Sequence, residues 1–434
     1  MEWTLTPGTA LRGQIRPPAD KSISHRTAIL GAIADGDSEI HNFLDAADTL
    51  ATLRAVQKLG VIFETNEDGS RCIHGVGLHG LHAASSALDL GNSGTGMRLL
   101  AGLLAAQRFA SELVGDPSLS RRPMRRVADP LTQLGARIGV AEDGTPPIRI
   151  SGRQLHGARL SLSVSSAQVK SALLLAGLYA DGPVEVYEPA PSRDHTERLL
   201  QSMGADLRCK PSGWVLRPAR RLDPLHMVVP GDLSSAAFWL VAASLVPGSA
   251  IELPDVGVNP LRAGVLRVLE QMGARIDIRN RRDAAGEPLA DLHVQSADLH
   301  GVRVDPCVVA AAIDEFPVLF VAAALADGVS FIRGAQELRV KESDRIGVMA
   351  SALRAMGAEI TEYPDGVDIV GGSLYGTSVD ASGDHRCAMA LAVAALAAQG
   401  ETRILGCQNV DTSYPGFVAD LRRLGVAVGT RRAA

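Results

Sequence analysis

A chain of 434 residues is too long for one ordinary hydrophobic core, so two domains are expected. Its formal net charge of −5 provides no overall basic field for a nucleic-acid backbone, and nucleic acid is excluded as a partner. Aromatic residues make up only 4% while Ala, Leu, Val and Gly abound, a composition suited to closely packed helices and sheets of small side chains.

The five cysteines (Cys72, Cys209, Cys307, Cys387, Cys407) are scattered and never spaced CxxC. That pattern predicts buried free thiols in a reducing compartment rather than a disulfide frame or a zinc site. The opening residues contain no apolar signal-peptide core, and apolar runs such as FPVLFVAAALA stop short of the roughly 18 residues that span a bilayer. The expectation is a soluble cytoplasmic protein with no membrane partner.

Two patterns alternate along the chain. A helix end of the form L-x-x-L/M-G-A/V, followed by an alternating strand, places Gly60, Gly135, Gly204, Gly273, Gly357 and Gly425 roughly 70 to 85 residues apart. Each glycine is predicted to close its helix in the left-handed conformation. Between them recurs an alanine-rich helix, a turn and a short strand, as in GAIADGDSEIHNF and AALADGVSFIRGA. The chain therefore reads as six α/β units with parallel strands joined through helices. Three units fall in 21–230 and three in 1–20 plus 231–434, a division that makes the joint a double-stranded hinge and the space between halves the expected ligand cleft.

Taken in chain order, the polar residues gather where buried helices begin. ADKSISHRTAIL puts Lys21, Ser22 and Arg26 at the first helix, whose N-terminus already favours anions. GNSGTGMRLL follows, with Gly91, Gly94 and Gly96 letting backbone N–H groups approach an anionic ligand, although close packing would also use them. Arg121, Arg122, Arg125 and Arg126 flank Pro123, and some of them are expected to be solvated. VSSAQVK supplies Ser165, Ser166 and Gln168, as caps or as contacts to a neutral polar ligand. His195 and Glu197 form an H-x-E without the PCxxC companion of a zinc deaminase. Asp314 and Glu315 lead into FPVLFVAAALA, where Asp314 is either a cap or a carboxylate of tuned pKa. KESDR (341–345) opens a helix with Ile346, Met349, Leu353 and Met356 on its buried face, and Asp384, His385 and Arg386 precede the sixth apolar helix. Together these mostly cationic helix starts suit a highly anionic small molecule.

DKSISHR, GNSGTGMR, SAQVK, RDHTE, PGDLSS, NPLR, LRVKESDR and DHR occur in the order found in the EPSP synthase (3-phosphoshikimate 1-carboxyvinyltransferase) family, which the sequence closely resembles over nearly its whole length. SAQVK and RDHTE resemble its class II branch. The resemblance implies two similar domains, each an inside-out α/β barrel of three repeats. It implies transfer of the enolpyruvyl group of phosphoenolpyruvate to the 5-hydroxyl of shikimate 3-phosphate. A monomer without a cofactor is expected, and the sequence offers no metal-ligand set. The contacts to shikimate 3-phosphate implied by the resemblance are Lys21, Ser22, Arg26, Ser166, Ala167, Gln168, Arg193, Asp314 and Lys341. Those to phosphoenolpyruvate are Lys21, Gly94, Arg122, Gln168, Arg345 and Arg386. Asp314 resembles the base for the 5-hydroxyl and Glu342 the proton carrier for the methylene carbon, with Lys21 placed to share the acid role. These seven cations and two carboxylates leave an excess of five positive charges facing substrates rich in phosphate and carboxylate.

Two rivals have different signatures. The sister transferase acting on UDP-N-acetylglucosamine uses a loop cysteine and a Lys-Asn pair, whereas GDPSLSRRP lacks cysteine and Lys21 is followed by Ser22. A non-catalytic anion binder gains nothing from burying Asp314 and Glu342.

Overall fold

The computed structural model describes residues 1–431, which form two compact units. One comprises Met1–Pro18, Gly231–Arg282 and the chain from Pro288 onward; the other comprises Ala19–Pro230 and the hairpin tip Asp283–Glu287. The chain crosses from one unit to the other at Pro18 and again at Pro230. In one unit the Asp20 N–H donates to the Pro230 carbonyl; in the other, the Asp232 N–H donates to the Pro18 carbonyl.

Each unit has three core helices and three sheets. In the Ala19–Pro230 unit the core helices are Lys21–Ala32, Gly94–Ala105 and Ala167–Gly177; in the other they are Leu233–Leu245, Phe316–Ala324 and His385–Ala397. They are buried almost all round; Ala, Leu, Val and Gly dominate most of them, while Lys21–Ala32 also buries Ser24, His25, Arg26 and Thr27, and within each unit they pack on one another. The strands alternate buried and exposed residues, as in Ile148–Ser151, so one face of each sheet covers helices and the other meets solvent. Helices thus lie inside and sheets outside.

The sheets share one strand order. A first strand pairs parallel with a second, as Ala158 with Val184, and two further strands extend the sheet antiparallel. The sheet built on Val329–Ile332 has three strands, and parallel bridges such as Arg303 to Phe331 stand in for the fourth. Closure of each unit is circular. His226–Val228 completes the sheet of Asp35–His41, while Arg12–Gln14 and Glu2–Leu5 complete sheets whose other strands lie beyond Ala250 and Ser378.

All six repeat glycines have positive φ, from 83° at Gly204 to 99° at Gly357, and each follows the last turn of its helix as the L-x-x-L/M-G pattern predicts. Gly102 serves a different purpose. A Cβ there would lie 2.1 Å from the Ala172 carbonyl oxygen of the neighbouring core helix. Gly102→Ala is expected to lower stability by about 1–3 kcal/mol through overpacking, despite a gain of about 1 kcal/mol in helix propensity. A melting temperature equal to the parent's would show that these helices can separate.

No single helix among the described residues is long and apolar enough to cross a bilayer. All five cysteines are free, but burial was expected for each and only Cys387 and Cys407 are buried; Cys209 and Cys307 are exposed. Cys209 lies on a strand whose three last residues face solvent and Cys307 in the first turn of a short surface helix.

Candidate active site

In the Ala19–Pro230 unit the starts of all three core helices carry the expected residues. Asp20, Ser93 and Ser166 are the N-caps, accepting from the backbone N–H groups of Ile23, Gly96 and Val169. Lys21 and Ser22 lie in the first turn beyond Asp20, Gly94 follows Ser93, and Ala167 and Gln168 follow Ser166. Free N–H groups at these starts add partial positive charge.

Partners invisible in the motifs fix the side chains. Lys21 Nζ lies 2.5 Å from Asp48 Oδ2. Arg122 donates to Asn92 Oδ1 at 2.5 Å, and Arg98 donates to Gln168 Oε1 at 2.6 Å while the Gln168 amide donates to Thr95. A Cβ on Gly94 would stand 3.1 Å from nitrogens of both Arg122 and Arg98. Fully buried His25 joins the first two helix starts, with Nδ1 2.8 Å from Thr52 and Nε2 3.2 Å from Ser93. Burial holds its pKa well below the ordinary histidine value, and Lys21 and Arg26 push it further down, so His25 is a neutral bridge.

Arg26 is buried rather than facing solvent at the helix mouth. It donates to Thr196, Ser171 and the Ser22 carbonyl, tying three helices together. Burial lowers its pKa to about 10 against the opposing pull of Glu197 and other carboxylates, which leaves it charged at neutral pH. Arg193 is half-buried and close enough to add to that lowering. The H-x-E pair is divided between two partners: His195 Nδ1 is 2.7 Å from Glu287, and Glu197 is 3.0 Å from Lys170.

In the other unit the helix starts carry acids. Asp232 and Asp384 are N-caps of the Leu233–Leu245 and His385–Ala397 helices, and Glu315 occupies the cap position of Phe316–Ala324 without a capping bond. Asp314 is therefore not a cap. KESDR does not open its helix as expected: the helix starts at Arg345 behind the cap Asp344, and Lys341, Glu342 and Ser343 precede it, so Lys341 and Arg345 do not share a helical face. Asp344 claims the cap because its carboxylate accepts from the Gly347 N–H.

One guanidinium organises the cluster. Arg345, 1% exposed, lies 2.6 Å from Glu342, 2.8 Å from Asp384 and 3.5 Å from Asp314. Burial opposes its charge, but Asp384, Glu342 and Asp314 outweigh it and raise its pKa. Asp384 is raised by burial and lowered more strongly by Arg345 and His385, ending below the usual carboxylate value. Lys341 Nζ is 3.7 Å from Asp314; desolvation lowers its pKa although 24% of the side chain is exposed and Asp314 pulls the other way. Arg386 donates to the Asp314 carbonyl at 3.0 Å. Beneath them Arg262 of the NPLR motif joins Asp232 and Glu315 at 2.9 and 3.1 Å and lies 4.0 Å from Asp314 Oδ2.

These partners revise the charge balance. This cluster contains four cations (Arg262, Lys341, Arg345, Arg386) and five carboxylates (Asp232, Asp314, Glu315, Glu342, Asp384). The cations of the Ala19–Pro230 unit also have acids beside them, Asp48 on Lys21 and Glu197 near Arg26, so the excess of five does not survive in either unit once partners are included. Metal-ligand types meet elsewhere, where Asp37, Cys72 and His74, and Glu39, His41 and Asp68, lie on adjoining strands and their following loops. His74 and Asp37 already pair at 2.9 Å, raising the imidazole pKa.

Each unit buries its core helices, and their starts differ: those of the Ala19–Pro230 unit carry Lys21, Ser22, Gly94 and Gln168, and those of the other unit lie among the carboxylates grouped on Arg345 and Arg262. The family model described as EPSP synthase (3-phosphoshikimate 1-carboxyvinyltransferase) matches residues 5–421. The chain is 53% identical over 424 residues to the 3-phosphoshikimate 1-carboxyvinyltransferase of Acidithiobacillus ferrooxidans, covering 98% of each chain. With that of Xanthomonas axonopodis pv. citri it shares 51% over 429 residues, 99% of this chain and 98% of the relative. The solved EPSP synthase of Acinetobacter baumannii superposes with a TM-score of 0.89 at 46% identity over 99% of this chain and all of that one. The enolpyruvyl transferase NikO of Streptomyces tendae shares the fold, with a TM-score of 0.80 at 20% identity over 100% of this chain and 99% of that one. The chain belongs to the EPSP synthase family, and its two domains have the inside-out α/β architecture of that family. It is a transferase of aromatic amino acid biosynthesis.

Proposed function

We propose that the two clusters described above carry out enolpyruvyl transfer from phosphoenolpyruvate to the 5-hydroxyl of shikimate 3-phosphate. The observation that carries this reading is the sharing of Arg345 by Glu342 and Asp314, with Lys341 beside Asp314. A proton acceptor and a proton donor must stand near one reacting pair, and neither need be a nucleophile.

Asp314 takes the proton of the 5-hydroxyl as its oxygen bonds to C2 of the enol, and Glu342 delivers a proton to the methylene carbon, with Lys21 able to share the acid role. The tetrahedral intermediate then loses phosphate and a methyl proton, which restores the double bond. Lys21, Ser22, Arg26, Ser166, Ala167, Gln168, Arg193, Asp314 and Lys341 hold shikimate 3-phosphate. Lys21, Gly94, Arg122, Gln168, Arg345 and Arg386 hold phosphoenolpyruvate. Because Arg26 commits three of its five N–H donors to Thr196, Ser171 and Ser22, its part is to present the first helix start as well as to add charge. The double crossing at Pro18 and Pro230 is the proposed hinge. A cytoplasmic setting is supported by the five free thiols.

Release of phosphate when both substrates are mixed with the protein, and not with either alone, tests the activity. The family is the target of glyphosate. Gly94→Ala is expected to raise KM for phosphoenolpyruvate about tenfold and to weaken glyphosate inhibition more, because the methyl presses on Arg122 and Arg98. Unchanged inhibition would remove Gly94 from the phosphoenolpyruvate site.

A further inference from the structure

In the second and third repeats a carboxylate stands just after the second strand. Glu188 follows Val184–Tyr187, and Asp116 lies two residues beyond Ala110–Val114. Each ties together the two loops of its repeat that carry proposed substrate contacts. We propose that these two carboxylates are positioning residues with divided duties, Glu188 for shikimate 3-phosphate and Asp116 for phosphoenolpyruvate.

Glu188 is buried, and both of its oxygens are engaged. Oε1 accepts from the Ser166 N–H at 2.8 Å and the Ser192 hydroxyl at 2.7 Å; Oε2 lies 2.8 Å from both Ser192 Oγ and Lys170 Nζ. Ser166 starts the third core helix, and Ser192 immediately precedes Arg193. Ser165 reinforces the join, donating to the Ala190 carbonyl and accepting from the Ala190 N–H. Lys170, 1% exposed, completes the device by donating to the Ser192 carbonyl and facing Glu197. Burial disfavours its charge, but Glu197 and Glu188 outweigh that and raise its pKa, so it stays an ammonium. At Glu197 burial outweighs the pull of Lys170, and its pKa is raised.

Asp116 repeats the arrangement one unit earlier. Oδ2 accepts from the Asn92 amide at 2.8 Å, Oδ1 accepts from the Leu119 N–H at 2.7 Å, and the Asp116 N–H donates to the Gly91 carbonyl. Asn92 in turn accepts from Arg122 and adjoins the loop before Gly94. Glu188 therefore sets Ser166 against Arg193, and Asp116 sets Gly94 against Arg122. Neither carboxylate needs to touch substrate, since misplacement of about 1 Å in a binding group is enough to impair its use.

The proposal rests on the substrate contacts assigned above, so steady-state kinetics of Ser166→Ala and Arg122→Gln serve as controls. Glu188→Gln keeps the shape but loses the charge facing Lys170, and should raise KM for shikimate 3-phosphate about tenfold or more, with KM for phosphoenolpyruvate and kcat within about threefold. Asp116→Asn should do the reverse. A general loosening of the fold would move both constants together or only lower the melting temperature, and either result overturns the proposal. If Glu188→Gln does not fold, Ser192→Ala removes a single partner and must show the same selectivity in smaller measure. Controls that leave their own KM unchanged would sink the contact assignment, and the positioning roles with it. Controls that respond while Glu188→Gln and Asp116→Asn do not would sink the positioning roles alone.

Discussion

Asp314→Asn is expected to lower kcat by about 10²- to 10⁴-fold, the usual contribution of a positioned general base, with a melting temperature within a few degrees of the parent. The amide matches the carboxylate in shape, and the Asp314 backbone carbonyl keeps its bond from Arg386. The side chain is 15% exposed, and the cations Arg345, Lys341 and Arg262 lie 3.5, 3.7 and 4.0 Å from it, longer than close ion pairs, so little stability depends on its charge. Phosphate release followed at saturating substrates measures the loss. Retained turnover with a lowered melting temperature would make Asp314 a counter-ion for Arg345 and remove it from proton transfer.

Arg345→Met should show the opposite balance, with both activity and stability falling. Three carboxylates then lose their shared cation, and breaking a buried pair costs about 3–5 kcal/mol. The sign of the pH dependence follows from Asp384, whose folded pKa lies below its ordinary value. Such a group contributes stability above the unfolded carboxylate pKa, and the contribution is lost as pH falls through the folded value. The deficit of Arg345→Met should therefore be greatest near pH 7 and shrink below about pH 4, where carboxylates of ordinary pKa take up protons. Urea melts at both pH values measure it, and an equal deficit at the two would exclude Asp384 as the partner that matters.

Local pattern made the repeats legible. Gly60, Gly135, Gly204, Gly273, Gly357 and Gly425 announced six helix ends because a positive φ is a property of one residue and its neighbours. Ser22, Gly94, Ser166 and Gln168 were readable as helix starts for the same reason. What stayed hidden depends on pairs distant in sequence. Arg98 meets Gln168 across 70 residues, and Arg262 meets Glu315 across 53. Nothing near Asp48 or Glu188 marks either as a partner of Lys21 or Ser166. KESDR misled because five polar residues resemble a helix start, whereas only the carboxylate of Asp344 lies where the backbone N–H of Gly347 can reach it. A charge count drawn from motifs alone missed the compensating acids for the same reason: Asp384 meets Arg345 across 39 residues and Asp232 meets Arg262 across 30.

The borrowed strands Glu2–Leu5 and Arg12–Gln14 impose an order on synthesis. The sheets they complete also need residues as late as Gln295 and Arg431, so strands made before the Ala19–Pro230 unit must wait for residues made after it. All three sheets of the intervening unit are available once Val228 has emerged, and only the hairpin tip bearing Glu287 arrives later. That unit can assemble while both borrowed strands remain unpaired; Arg12–Gln14 can pair once Gln295 has emerged, whereas Glu2–Leu5 stays an exposed edge-seeking segment until Arg431 has.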